Sequence, residues 1–73
     1  MTIEMKPVVS SNIAMMGHEG TMMRVQFTNG TTYEYANVPT DVYENVLNAK
    51  SIGGAFSRDI KAYPKAYPFV KVS

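Results

Sequence analysis

The segment "VQFTNGTTYEY", residues 25–35, predicts a β-hairpin and with it the centre of an antiparallel sheet. Asn29-Gly30 stands between two runs in which apolar and polar side chains alternate, as they do on strands with one buried face. An Asn-Gly pair favours a two-residue type I′ turn, because the twist of that turn matches the twist of the strands. Two strands are therefore predicted, over residues 21–27 and 32–36.

A third strand is predicted upstream, over residues 12–18, where the same alternation occurs. Glu19-Gly20 joins it to the next strand through a tight turn, since glycine adopts positive φ without a Cβ clash. The three strands form an antiparallel meander, and one of its faces is apolar and needs a cover.

Two helices are predicted after the meander, and they supply that cover. Pro39 has no N–H for a sheet and fits the first turn of a helix. Ser51 caps a second, shorter helix, and Pro64 ends it because residues before a proline avoid the α region. The apolar faces are formed by Val42, Tyr43, Val46 and Leu47 in the first helix and by Phe56, Ile60 and Tyr63 in the second.

The C-terminal end contains the sequence Lys-Ala-Tyr-Pro twice, at residues 61–64 and 65–68. The first copy completes the second helix, whereas the second copy is predicted to run extended or as polyproline II. Residues 69–72 are a short β-prone end that pairs with a sheet edge, in its own chain or in a neighbour. The predicted fold is α+β, with a three-stranded antiparallel meander followed by two helices packed on one face over residues 1–64 and an extended proline-rich tail over 65–73.

Composition argues against catalysis. The chain has no cysteine and one histidine, His18, which is predicted to be solvated beside a turn, and its six carboxylates show no metal-ligand spacing. We therefore expect no catalytic residues, no metal, no cofactor and no small-molecule substrate. No apolar run approaches the roughly 18 residues of a membrane span, and "MTIEMKPVV" lacks the features of a secretion signal. These features predict a cytoplasmic protein without a membrane partner.

Charge divides the chain into two parts. Residues 50–73 carry five basic side chains against one acidic, whereas residues 1–49 carry two basic against five acidic. A basic C-terminal third attracts phosphates or an acidic protein surface, and a solvated face is the simpler alternative. Tyrosines near these cations either stack on nucleic-acid bases or pack within the fold. The residues concerned are Tyr33, Tyr35, Tyr63, Tyr67, Arg24, Arg58, Lys61 and Lys65.

A surface for self-association is predicted from the methionines and the tail. Met15-Met16 and Met22-Met23 each place one methionine on each sheet face, because neighbouring strand residues point to opposite sides. Met16 and Met22 are expected on the face away from the helices, next to Ala14. Phe69 and Val70 complete the predicted association surface.

Several landmarks occur in order along the chain: "SSNI" at residues 10–13, Gly17, "VQFTNGTTYEY" at 25–35, Val38-Pro39, and "AKSIGGAF" at 49–56, followed by Ile60 and Tyr63. In order and spacing they resemble the KTSC domain, a small module found at the C-terminus of some lysyl-tRNA synthetases and as free-standing bacterial and phage proteins. The resemblance implies a β-meander followed by helices. It implies no reaction, since the family has none established, and it suggests RNA only by association. The chain departs from the family at His18, where an aromatic is usual, and in its tail.

If the positions shared with that family form one site, the residues Ser10, Ser11, Tyr35, Ser51 and Gly53 converge. A serine and two glycines at a helix start attract anions, but the spacing of a phosphate-binding loop is absent. The alternative is structural, with Ser51 as a cap, close packing at the glycines and local backbone bonds from the two N-terminal serines.

Together these observations predict a non-enzymatic binding module, an accessory protein of a bacterium or a phage. The first alternative is protein binding, to a second copy of the chain or to a host factor that it modulates. The second is binding of RNA or single-stranded DNA through the basic C-terminal third, with Arg58, Lys61, Lys65 and Tyr67 as contacts.

Overall fold

Alternating side chains build one antiparallel sheet, in which the strands are neighbours in chain order. The computed structural model describes residues 3–72. The strands are β1 Lys6–Pro7, β2 Ile13–Glu19, β3 Met22–Phe27, β4 Thr32–Tyr35 and β5 Phe69–Lys71. The helices are α1 Thr40–Leu47 and α2 Ile52–Phe56, and a π-helical turn over Ser57–Lys61 continues α2. The α+β class and the two helices are confirmed.

Within residues 3–72 the sheet has five strands, not the predicted three, and the predicted pairing of residues 69–72 with a sheet edge occurs within the chain itself. β1 and β5 are too short to show a periodicity, and they become strands only because a longer neighbour offers its edge. β5 pairs with β4, with Phe69 opposite Tyr35 and Lys71 opposite Tyr33. The end of the chain thus folds back onto its own sheet. The boundary after residue 64 stays a prediction.

The β3–β4 hairpin is confirmed, but its turn is not type I′. That turn needs positive φ at both central residues, and of the Asn-Gly pair only Gly30 has it, at 93°. Phe27 N–H donates to the Thr31 carbonyl at 2.8 Å and Gly30 N–H to the Phe27 carbonyl at 2.9 Å. The loop therefore has three residues and ends in a glycine bulge, while the Asn29 side chain accepts the Thr31 N–H at 3.0 Å.

Met16 is a core residue, and its predicted place on an association surface is wrong. A β-bulge between Ile13 and Met15 inserts one extra residue into β2. The bulge reverses the alternation of faces, so that Ile13 and Met16 both point towards the helices and are fully buried. Met22 lies on the opposite face, as predicted, and is half-buried.

The helices cover the sheet mostly as predicted. Tyr43 and Val46 of α1 and Phe56 and Ile60 of the second helical segment are buried. The Ser51 side chain accepts the Gly54 N–H at 3.2 Å and caps α2. Tyr63 does not join this face: the helical segment ends at Lys61, and the Tyr63 side chain is 57% exposed.

His18 connects the sheet to α1 and is half-buried, which corrects its predicted solvation. Its Nε2 donates to the Val38 carbonyl oxygen at 2.7 Å, and its ring stacks on Tyr43 with the centroids 4.8 Å apart. This packing gives the ring at position 18 a structural role.

The sheet face away from the helices is partly covered by the start of the chain. A Cβ atom at Gly17 would overlap the Glu4 carbonyl oxygen and the Ile3 side chain, so only glycine permits this close approach. On the same face Arg24 Nε donates to the Glu34 carboxylate at 2.9 Å, across the β3–β4 pair. An ion pair therefore occupies the centre of this face.

Candidate functional site

Five aromatic rings form a closed circuit of contacts beside β5. Neighbouring ring centroids lie between 5.2 Å and 5.8 Å apart, in edge-to-face, tilted and stacked arrangements. All five rings line one groove with a volume of about 540 Å³. We call this site the aromatic groove, and its rings in order of contact are Phe56, Phe27, Tyr33, Phe69 and Tyr35.

The sheet register positions four of these rings. Tyr33 and Tyr35 alternate on β4 and therefore share one face. Phe69 is opposite Tyr35 on β5, and its ring also stacks on Tyr33 at 5.7 Å with 15° between the planes. Phe27 meets Tyr33 edge-on at the end of the hairpin. The C-terminal end of the chain thus supplies one wall of the groove.

The second helical segment supplies the opposite wall. Phe56 is buried, with its ring against both Phe27 and Tyr35. Lys61, at the end of the same segment, is the one charged residue among the described residues that line the groove. The rest of the rim is uncharged: Asn12, Ile13, Thr28, Asn29, Thr31, Gly53 and Ser57.

Tyr35 is the buried floor of the groove. Its side chain is 3% exposed, and burial, with a smaller contribution from nearby Tyr33, raises its pKa to about 12. Its phenol is therefore protonated at physiological pH and cannot act there as a base. Among residues 3–72, those that line the groove offer apolar contact, hydrogen bonding and one positive charge, and none of them is acidic or a histidine.

Some of the predicted site residues meet in or beside this groove. Tyr35, Gly53, Lys61 and Phe69 line it. Ser10 Oγ lies 3.3 Å from the position that a Cβ on Gly53 would occupy, so the serine and the glycine are in close approach. Ser10 Oγ also accepts the N–H groups of Asn12 and Ile13, both at 3.2 Å, and its observed bonds are thus the local ones.

The remaining predicted residues lie elsewhere. Ser51 is occupied in capping α2, and Ser11 is exposed. Arg58 is exposed and pairs with Asp59, with its Nε 3.0 Å from Oδ1. Lys65 is exposed, and Tyr67 is half-buried against the core. The aromatic groove itself was missed, although the alternation of Phe27, Tyr33 and Tyr35 indicated a shared aromatic face, because its closing ring comes from β5.

The outer edge of β5 adjoins the groove, and no other strand within residues 3–72 pairs with it. Val72 N–H donates to the Thr32 carbonyl, and Ala36 N–H donates to the Pro68 carbonyl. Because bonded and non-bonded pairs alternate in an antiparallel ladder, the backbone groups of Phe69 and Lys71 point away from β4. Phe69 and Val70 are 51% and 59% exposed. The edge therefore combines available backbone groups with apolar side chains.

The described part of the chain shows neither a metal-ligand cluster nor a membrane-crossing helix. Within residues 3–72, no three or more acidic or histidine side chains are grouped as metal ligands would be. No helix in the same range combines the length and apolarity that a bilayer requires.

The chain is similar to proteins of known sequence and structure. The family model for the KTSC domain matches residues 9–63. A protein of Tsukamurella paurometabola is 39% identical over 51 residues, which cover 67% of this chain and 76% of the relative. A protein of Stutzerimonas stutzeri is 31% identical over 65 residues, 86% of this chain and 89% of the relative. The crystal structure of a KTSC domain protein of Yersinia pestis matches with a TM-score of 0.86 at 31% identity and covers 99% of this chain and 100% of its own.

Proposed function

This chain belongs to the KTSC domain family, and we propose that it works as a non-enzymatic binding module for an extended protein segment. The observation that carries the proposal is the aromatic groove beside the open, apolar edge of β5. The module is an accessory protein of a bacterium or phage, acts in the cytoplasm, and binds either its own copy or a host factor.

The mode of binding that fits this site is strand addition. An extended segment that pairs with β5 forms hydrogen bonds with the backbone groups of Phe69 and Lys71. These bonds give affinity that does not depend on the sequence of the segment. Alternate side chains of that segment point to the groove face, where the rings of Phe69 and Tyr33 offer apolar contact. Lys61 at the rim favours a segment with a negative charge.

The lining of the groove supports binding rather than turnover. General acid–base catalysis needs a group that can exchange a proton near the working pH. The ionisable residues of the lining are Lys61, Tyr33 and Tyr35, and burial holds the pKa of Tyr35 near 12. In the part of the chain that the structure describes, no histidine or carboxylate lines the groove to activate them.

Nucleic acid is the second candidate, and the positions of the cations and rings favour it less. Arg24 is paired with Glu34 and Arg58 with Asp59, so both have a carboxylate beside them. Tyr35 is buried beneath the groove and Tyr67 packs against the core, so neither ring is free to stack on a base. The exposed cations and tyrosines of the C-terminal third that remain for such contacts are Lys50, Lys61, Tyr63, Lys65 and Lys71.

The test is affinity capture from extracts of the native host with matched variants. Phe69→Ala removes a wall of the groove, and Tyr63→Ala removes an aromatic of similar exposure that does not line it. We expect a protein that is captured by the wild type and by Tyr63→Ala but lost with Phe69→Ala. Equal capture by both variants, with folding verified by circular dichroism, would contradict a groove-based function.

A salt titration addresses the nucleic-acid candidate. Binding of a fluorescent single-stranded oligonucleotide is measured from low to moderate salt, with wild type and with Lys61→Ala combined with Lys65→Ala. Protein binding predicts negligible affinity even at low salt. A steep loss of affinity with salt, abolished by the double variant, shows counterion release and favours nucleic acid instead.

A further inference from the structure

The two edges of the sheet differ in what they offer to another strand. At the β1 edge the outward-facing residue is Pro7, because Val8 N–H bonds inwards to the Ala14 carbonyl and the bonded pairs alternate. Proline has no N–H, so this edge lacks a donor where a new strand would need one. At the β5 edge Phe69 and Lys71 each have an outward N–H and carbonyl. Only the β5 edge is suited to strand pairing.

We propose that this edge pairs with the β5 edge of a second copy of the chain, antiparallel, about a twofold axis at Val70. This names the partner of the proposed binding site and rests on strand addition at β5. Phe69 of one copy exchanges backbone bonds with Lys71 of the other, and the reverse pair does the same. The two sheets then form one continuous sheet.

Side-chain chemistry selects this register among the symmetric ones. A twofold axis at Lys71 places two ammonium groups directly opposite one another, which is unfavourable. An axis at Phe69 requires Tyr67 to donate its N–H across the interface, but that N–H already bonds to the Tyr63 carbonyl at 2.9 Å. The axis at Val70 avoids both problems.

The selected register also brings complementary groups together. Val70 meets its own copy on the face away from the helices, and Val72 lies opposite Pro68, so apolar side chains that are exposed in the single chain cover one another. On the groove face the Lys71 ammonium lies opposite Phe69 of the second copy, which favours a cation–aromatic contact. A contact of one strand per copy is small, so the dimer is weak and depends on concentration.

The first test introduces like charges opposite one another at the twofold axis. Sedimentation velocity is measured up to about 1 mM for the wild type, Val70→Lys, Val70→Glu and an equimolar mixture of the two variants. We expect the wild type to dimerise and each variant alone to associate at least about tenfold more weakly. The mixture should regain dimers, because Lys of one variant then faces Glu of the other. A wild type that stays monomeric, or a mixture that gains nothing, overturns the proposal.

The second test uses the absence of cysteine in the chain. Directly opposed residues of a non-bonded antiparallel pair have Cα atoms about 4.5 Å apart, within the range that a disulfide spans. Val70→Cys should therefore cross-link to its own copy under mild oxidation, whereas Tyr63→Cys, of similar exposure, should not. Equal cross-linking of the two overturns the register.

Failure of this proposal can be separated from failure of the proposed function by Lys71→Pro. Proline at this position removes an outward N–H but leaves the bonded Val70–Glu34 pair intact. A monomeric wild type whose host partner is lost with Lys71→Pro would refute self-pairing while supporting strand addition to a different protein. A dimer that is lost with Lys71→Pro supports self-pairing whether or not a host protein is captured.

Discussion

The two copies of Lys-Ala-Tyr-Pro have identical sequences and different structural roles. In the first copy the Tyr63 side chain is 57% exposed, and in the second the Tyr67 side chain is half-buried against the core. The backbone of the first copy nevertheless supports the second, because the Tyr63 carbonyl accepts the N–H groups of Ala66 and Tyr67 at 3.1 Å and 2.9 Å. The first copy contributes a turn and the second contributes a side chain.

The difference shows that the elements next to a short segment, and not its own sequence, decide whether its side chains are buried. The first copy follows a helical segment that has already ended at Lys61, so its tyrosine projects past the sheet. The second copy leads into β5. Because Phe69 pairs with Tyr35, Tyr67 before it lies against the core. The periodicity of the second helix favoured the opposite assignment.

Removal of the second copy together with β5 is expected to have the largest effect on stability. A chain that ends at Pro64 loses the Tyr67 contact, the β4–β5 pairing and one wall of the aromatic groove. Small domains have only about 3–5 kcal/mol of core stability, and we expect a loss of that order. Urea unfolding followed by circular dichroism should show a largely unfolded chain. Retention of wild-type stability would show that the C-terminal end does not stabilise the fold and is available for binding a partner.

Replacement of the second tyrosine alone is the next largest test. Tyr67→Ala leaves β5 in place and removes a half-buried ring from the edge of the core. Truncation of such a ring costs about 1–3 kcal/mol, because apolar contact is lost and water enters the space. The midpoint of urea unfolding should fall accordingly. A shift equal to that of the same change at Tyr63 would remove the structural distinction between the copies.

Regular elements of the fold were predictable from local pattern, and the exceptions have a common cause. The alternation in β3 and β4, the stripe of α1 and the cap at Ser51 each depend on residues close in sequence. The bulge that buries Met16 depends on pairing across strands. Residues 69–72 were predicted to pair with a sheet edge, but the identity of that edge, β4 of the same chain, depends on the tertiary fold. Tertiary pairing decides such features, and a single sequence does not display it.

The stability of the fold should depend on pH through Tyr35, which pairs with Phe69 in the strand after the second copy. Its pKa is raised by burial from the ordinary 10.0 to about 12, so the unfolded chain loses this proton at lower pH than the folded chain does. The free energy of unfolding should therefore fall as pH rises from about 10 to about 12. Tyr35→Phe should flatten this fall, as measured by urea unfolding at about pH 9 and about pH 11. Parallel curves for the two proteins would contradict the buried state of this phenol.

The candidate site was predictable only in part, for the same reason. Tyr35, Gly53, Lys61 and Phe69 were predicted separately, from a family resemblance, a charge pattern and a β-prone end. The groove exists because the β4–β5 register sets Phe69 against Tyr35. Composition can indicate the rings, but only the pairing shows which of them enclose a space.

The smallest expected effect, Tyr63→Ala, is the test of the first copy. The ring is 57% exposed, whereas the structural contribution of this residue is its carbonyl, which alanine retains. We expect a change of less than about 0.5 kcal/mol in the free energy of unfolding, as for an exposed surface position. Urea unfolding of Tyr63→Ala and Tyr67→Ala in the same buffer measures the free energies of unfolding of both variants. A loss above about 1 kcal/mol would mean that the Tyr63 ring packs in solution, and the two copies would then share one role.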